Sequence, residues 1–257
     1  MQTDSSVGQR EQAKADLIKA LADHDGDTKQ VAVVDAIAKL AALNPTSRPV
    51  EHQELLQGNW LLINAPNFPD RLEDEANRYV YTLGRLAFNK FEPVNLRVAI
   101  EQVSQPVFAT GQENEYTHDI IVEFEIIEPG FPQLKGIVKN LAVCTPVDED
   151  TVQVKFTGGE LMPLDNQDPE LRKQWQEIFG DSQKVSRVSL LDRLKFWFVQ
   201  TMFGMGQVSA IDSVTGIKHF EIKKSPKGLL KLIYLDDELR ITKGNRETVL
   251  VCQRQVY

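Results

Sequence analysis

The chain has 257 residues, with 29 Lys+Arg against 37 Asp+Glu and a formal net charge of −8. That balance repels phosphate backbones and anionic bilayers, which argues against a nucleic-acid partner and confines any membrane contact to local apolar patches. No run approaches the roughly 18 apolar residues of a membrane-spanning helix, and the opening MQTDSSVGQREQ has no apolar signal core.

Residues 1–10 are polar and read as unstructured. From Glu11 to about Asp23, AKADLIKALAD has the spacing of an amphipathic helix, and HDGD turns the chain. Asp27 or Thr28 can cap a second helix to about Leu43, whose stripe is Val31, Val34, Ile37, Ala38 and Ala41. Asn44-Pro45 stops it, because the residue before proline avoids helical backbone. PTSRP reads as a linker, and a short helix, HQELLQ, leads to Gly58-Asn59-Trp60. These features predict a helical leader over 1–50 and a separate domain over 51–257.

After Trp60 the pattern becomes that of strands. WLLIN, the stretch from about Tyr79, VNLRVAIEQVS, YTHDIIVEFEII, LKGIVKNLAVCTPV and TVQVKFTGGEL alternate with period two and end in turn residues. Val122, Phe124 and Ile126 face one way, Glu123 and Glu125 the other; Val152, Val154 and Phe156 oppose Gln153 and Lys155. Residues 165–206 interrupt this series as a helical insertion. DPELRKQWQEIF opens it as a helix, and SLLDRLKFWFVQTMFGMG follows as a more apolar one, rich in Phe196, Trp197, Phe198, Met202, Phe203 and Met205. GIKHFEIK, LLKLIYLD, ELRITKG and TVLVCQRQ complete eight or nine strands without crossover helices, which predicts a mainly β fold, an antiparallel barrel, with a sandwich as the competing arrangement.

Catalytic and metal patterns are scarce. His24, His52, His118 and His219 are scattered, DHDGD lacks the spacing of a calcium loop, and nothing requires a cofactor or metal. Cys144 and Cys252 sit in apolar runs and read as buried thiols. Asp236-Asp237-Glu238 reads as a hairpin turn with three solvated carboxylates.

Gly58-x-Trp60, with Arg240 in a late strand, resembles the lipocalin-like signature, in which a guanidinium covers the indole at the closed end of a barrel. The longer segment YLDDELRITKGNRETVLVCQR is similar to the C-terminal signature of the plastid lipid-associated protein family, also called fibrillin, and GIVKNLAVC resembles its central Val-x-Asn element. The similarity runs from about Leu55 to Arg254; the leader and residues 161–213 are less typical. The resemblance implies a lipocalin-like barrel, peripheral association with thylakoids or lipid droplets in a cyanobacterial cytoplasm or plastid stroma, and binding of isoprenoid lipids such as carotenoids or quinones.

On this reading Val122, Phe124, Val138, Asn140, Ala142, Val154, Phe156, Phe198 and Met202 contact an apolar ligand. Phe196, Trp197, Phe203 and Met205 form a lid or touch a membrane, while Gly58, Trp60 and Arg240 are structural. Asn140 either fixes strand register or bonds a ligand's polar head. Two alternatives stand beside lipid binding: a scaffold that docks a prenyl-lipid enzyme or membrane complex through the N-terminal helices, and a chromophore lyase.

Overall fold

The computed structural model describes residues 2–165, 167–180, 206–225, 227–245 and 247–255. The helices are α1 (Gln2–Asp23), α2 (Val31–Ala41), α3 (Gln53–Leu56), α4 (Leu83–Leu86) and α5 (Pro169–Phe179), with a 3-10 turn at Pro49–Glu51. The strands are β1 (Gly58–Leu62), β2 (Tyr79–Thr82), β3 (Arg97–Val107), β4 (Tyr116–Thr117), β5 (Ile120–Ile126), β6 (Lys135–Pro146), β7 (Thr151–Pro163), β8 (Lys218–Glu221), β9 (Lys227–Leu235), β10 (Leu239–Gly244) and β11 (Val249–Arg254).

All eleven strands among the described residues join one antiparallel sheet. Eight of them close a ring in the order β1-β3-β5-β6-β7-β9-β10-β11, because β6 pairs with β7 and β11 returns to β1. β2, β4 and β8 add to the edges of β3, β6 and β7. The fold is therefore the expected antiparallel barrel and not a sandwich. Its alternating strands put Val122, Phe124 and Ile126 of β5 and Val138, Asn140, Ala142 and Cys144 of β6 in the buried set.

At one end, Trp60, Val107, Tyr116, Ala142, Val154, Leu232 and Cys252 pack beneath the 3-10 turn and α3. The opposite end is filled by the chain's own loops. Leu83, Leu86 and Phe91 from the α4 region, Trp175 and Phe179 from α5, and Phe220 join Val122, Phe124 and Val138 in one cluster. Edge-to-face contacts run from Phe88 to Phe156 at 5.2 Å and from Phe91 to Phe220 at 5.5 Å. The segment after Tyr79, expected to continue as a strand, leaves the sheet at Leu83 because Leu83, Leu86 and Phe91 bury their side chains across the mouth.

Gly136 marks where α5 enters. A Cβ there would lie 2.6 Å from both Phe124 Cζ and Trp175 Cη2. Trp175 is fixed from behind, its Nε1 donating to the Gly216 carbonyl at 2.9 Å. Gly136→Ala should therefore destabilise the protein by about 1–3 kcal/mol through overpacking; an unchanged midpoint in urea unfolding would contradict this packing.

α1 and α2 lie against the barrel wall. Leu17, Leu21, Val33, Ile37 and Leu40 bury with Tyr234, Leu239, Ile241 and Val251. Helix α1 starts at Gln2, so residues expected to be unstructured belong to it. The turn before α2 uses Asp27, whose carboxylate accepts from Lys29 N at 3.0 Å and Gln30 Nε2 at 3.0 Å.

Candidate functional site

The closed end is built around Trp60. Its indole Nε1 donates to the Leu56 carbonyl at 2.9 Å, tying β1 to the end of α3. Two guanidiniums lie over its ring, Arg240 with Cζ 5.0 Å from the centroid and Arg254 at 4.2 Å. Arg254 also donates to three carbonyls, Asp237 at 2.6 Å, Gln57 at 2.5 Å and Leu55 at 2.5 Å. Gly58 has φ +148°, and a Cβ there would run into Arg254 Nη1, so the glycine leaves room for that clamp. Trp60 and Arg254 are direct cross-strand partners. Arg254 was not singled out in the sequence, because nothing local distinguishes a basic residue near the end of a strand; its pairing opposite Trp60 was the signal, and only the register supplies it.

Arg240 is buried at 2% exposure, its Nη2 donating to Gln105 Oε1 at 2.6 Å. A small cavity of about 20 Å³ lies beside it, lined by Tyr116, His118, Cys144, Leu232, Arg240 and Thr242 among others. Burial, with the Arg240 charge adding to it, holds the His118 imidazole down at about 3, so it is neutral at physiological pH. Burial pushes the Cys144 thiol up to about 11 and raises Cys252 too, which keeps both as thiols. The neighbours His118 and Asp119 part company: Asp119 Oδ1 accepts from Ala142 N at 2.9 Å.

The predicted ligand-contacting residues divide between the barrel's two clusters. Val122, Phe124 and Val138 lie in the filled mouth; Ala142 and Val154 lie in the closed end; Phe156 packs against both. Asn140 sits between them with its Nδ2 donating to the Leu86 carbonyl at 2.9 Å, while its Oδ1 is buried without a partner among the described residues. That bond ties the inner wall to the segment that crosses the mouth. Phe196, Trp197, Phe198, Met202, Phe203 and Met205 lie outside the described residues.

A second apolar recess lies on the outside. A groove of about 530 Å³ runs between α1 and strands β1 and β3, with Ile18, Leu21, Leu61, Ile63 and Tyr79 in its walls. Its size falls in the range of small-molecule pockets. No helix among the described residues is long and apolar enough to cross a membrane, and no group of three or more His, Cys, Asp or Glu among them could hold a metal ion.

The family model PAP_fibrillin matches residues 11–253, nearly the whole chain. No curated protein and no solved structure matches it.

Proposed function

The chain belongs to the PAP_fibrillin family, and on that premise we propose that it binds an apolar isoprenoid lipid, a carotenoid or prenylquinone, without converting it, at thylakoid membranes or lipid droplets. Family membership is consistent with a lipid-associated role. The observation that carries the finer reading is the tether across the barrel mouth. Asn140 holds the Leu86 carbonyl, and behind that bond stand the apolar walls of Val122, Phe124, Val138, Ala142, Val154 and Phe156.

In this reading the 83–96 segment withdraws to admit the lipid. Phe88 and Phe91 give up their contacts with Phe156 and Phe220, and an isoprenoid tail takes over the apolar burial. Asn140 Oδ1, buried without a partner among the described residues, then accepts from a hydroxyl where the lipid carries one, as a hydroxylated carotenoid or a quinol does. A C40 chain exceeds the interior, so insertion is partial. The protonated, buried Cys144 and Cys252 support a non-catalytic role over that of a lyase.

Organic extraction of the purified protein, and retention of an added prenylquinone, test the proposal. Asn140→Ala removes the bond to the Leu86 carbonyl, worth about 1 kcal/mol net, together with the Oδ1 acceptor. An added prenylquinone has no hydroxyl that needs that acceptor, so its retention should rise roughly fivefold. Phe156→Trp should reduce retention, and Ile18→Asp in the outer groove should leave it unchanged. Lipid-free extracts, with no retention by either the parent protein or the Asn140 variant, would refute the reading. Loss of retention in the Ile18 variant alone would move the ligand to the groove.

A second reading, docking of a protein partner through the N-terminal helices, draws on α2, where Val31 is 75% and Val34 47% exposed. Val31→Ser with Val34→Ser changes this face without touching the buried stripe. Unchanged capture of a prenyl-lipid enzyme by that variant would sink docking through this face.

A further inference from the structure

The closed end carries a charge that no carboxylate among the described residues compensates. Arg240 is buried, and among the described residues its side chain bonds to the Gln105 amide oxygen and the Cys252 sulfur and to no carboxylate. Its Nε is buried with no hydrogen-bond partner among the described residues. The Trp60 ring gives some relief at 5.0 Å, but the same ring also receives Arg254 at 4.2 Å. Two like charges therefore share one indole, and the nearby thiols of Cys144 and Cys252 remain protonated. A buried cation in this setting is costly unless an anion or several hydrogen-bond acceptors face it.

The same cavity is lined by a second buried polar group with no partner among the described residues. His118 is 5% exposed, and its Nε2 has no hydrogen-bond partner among the described residues. Both side chains line the same cavity of about 20 Å³, whose other walls include Val50, Leu56, Val107 and Leu232. That volume admits about one or two atoms of water size. A carbonyl carrying a long chain does not fit, whereas a single compact ion does.

We infer that the closed end of the barrel is a site for one compact monoanion of chloride size, held by the Arg240 guanidinium and the His118 imidazole. The guanidinium Nε–H donates to the ion and supplies the opposite charge. The imidazole, in the tautomer protonated at Nε2, donates the second hydrogen bond. The apolar remainder of the wall excludes water and strengthens both. Occupancy would lock α3 and the strand ends around Trp60, so the ion acts as a structural ligand of the native state, whatever the mouth of the barrel binds.

The site can be tested on the full chain with halides alone. Crystals grown in bromide should give an anomalous peak beside Arg240 Nε and His118 Nε2. The thermal midpoint should rise saturably, by a few degrees, with chloride at constant ionic strength and stay flat in gluconate. His118→Phe fills the cavity while keeping Arg240, and Arg240→Met removes the charge; both should abolish the chloride response. A water molecule in place of the bromide peak, or a chloride response that survives in a folded His118→Phe variant, would overturn the inference. The diffraction arm stands even where Arg240→Met fails to fold.

Discussion

Removing residues 1–43 should cost the barrel much of its stability, with the thermal midpoint falling by roughly 10–20 °C. The barrel wall under α1 and α2 is not a finished surface. Tyr234, Ile241 and Val251 are fully buried there, and Leu239 is nearly so, under Leu17, Leu21, Val33 and Leu40. Exposing a large apolar side chain costs about 1.5–3 kcal/mol when its burial is lost completely. Four such residues outweigh a large part of the about 5–15 kcal/mol that holds a typical native protein together. The deletion also removes Lys14, the ammonium that faces Asp236 at 3.2 Å. Thermal unfolding followed by circular dichroism, together with binding of a hydrophobic dye, reads the effect. A truncated chain with the parent midpoint and no dye binding would show that the helices rest on the barrel without supporting it. The same reasoning is why point substitutions on α2, and not truncation, suit a test of partner docking.

What the sequence disclosed and what it hid follow from the range of each interaction. Alternation along β5, β6 and β7 is written into consecutive residues, so one wet and one dry face could be read directly, and Asp168-Pro169 marked the start of α5 because the Asp168 carboxylate accepts from Glu170 N and Leu171 N. Ring closure between β6 and β7 and between β1 and β11 needs register, which periodicity does not carry. Leu83 and Leu86 look like further strand residues in the sequence; only their burial with Phe91 against Phe220 and Trp175 explains why the chain turns inward. Asn140 was recognised as an inward amide, yet its partner, the Leu86 carbonyl, lies 54 residues away. Trp60 and Arg240 could be paired through a resemblance, while Arg254, which sits nearer the indole, had no such marker.

Asp236, expected among three solvated carboxylates, is buried at 5% exposure. Its Oδ1 accepts from Leu239 N at 2.7 Å and Glu238 N at 2.9 Å, which shapes the turn from β9 to β10. Its Oδ2 accepts from the Tyr234 hydroxyl at 2.5 Å and faces Lys14, which also reaches Glu238 at 2.5 Å and Glu11 at 2.9 Å. The acidic motif thus fastens α1 to the hairpin. Asp236→Ala should cost about 3–5 kcal/mol, because it strands a buried ammonium with weaker company and leaves two backbone N–H groups and a phenol without their acceptor.

The pH dependence gives this prediction a signature that simple loss of packing lacks. Burial alone would push the Asp236 carboxyl up, but the Tyr234 hydroxyl, the Leu239 and Glu238 N–H groups and Lys14 outweigh it and hold it below the usual carboxylate value. A depressed folded-state value means that the unfolded chain takes up the proton first as the pH falls. The stabilisation is therefore complete above the ordinary aspartate pKa of about 4 and disappears as the pH drops through the lower folded value. For Lys14, burial opposes the charge, yet Glu238, Glu11 and Asp236 together raise its pKa, so its share persists through neutral pH and fades only above the ordinary lysine range. The gap in unfolding free energy between the parent and Asp236→Asn, which keeps the shape and removes the charge, should hence be widest near neutrality and narrow below about pH 4. Urea titrations at pH 7 and in steps below pH 4 measure it. A gap that stays constant across that range would mean that Asp236 acts through its shape alone, and that the charge of Lys14 plays no part in fastening α1 to the barrel.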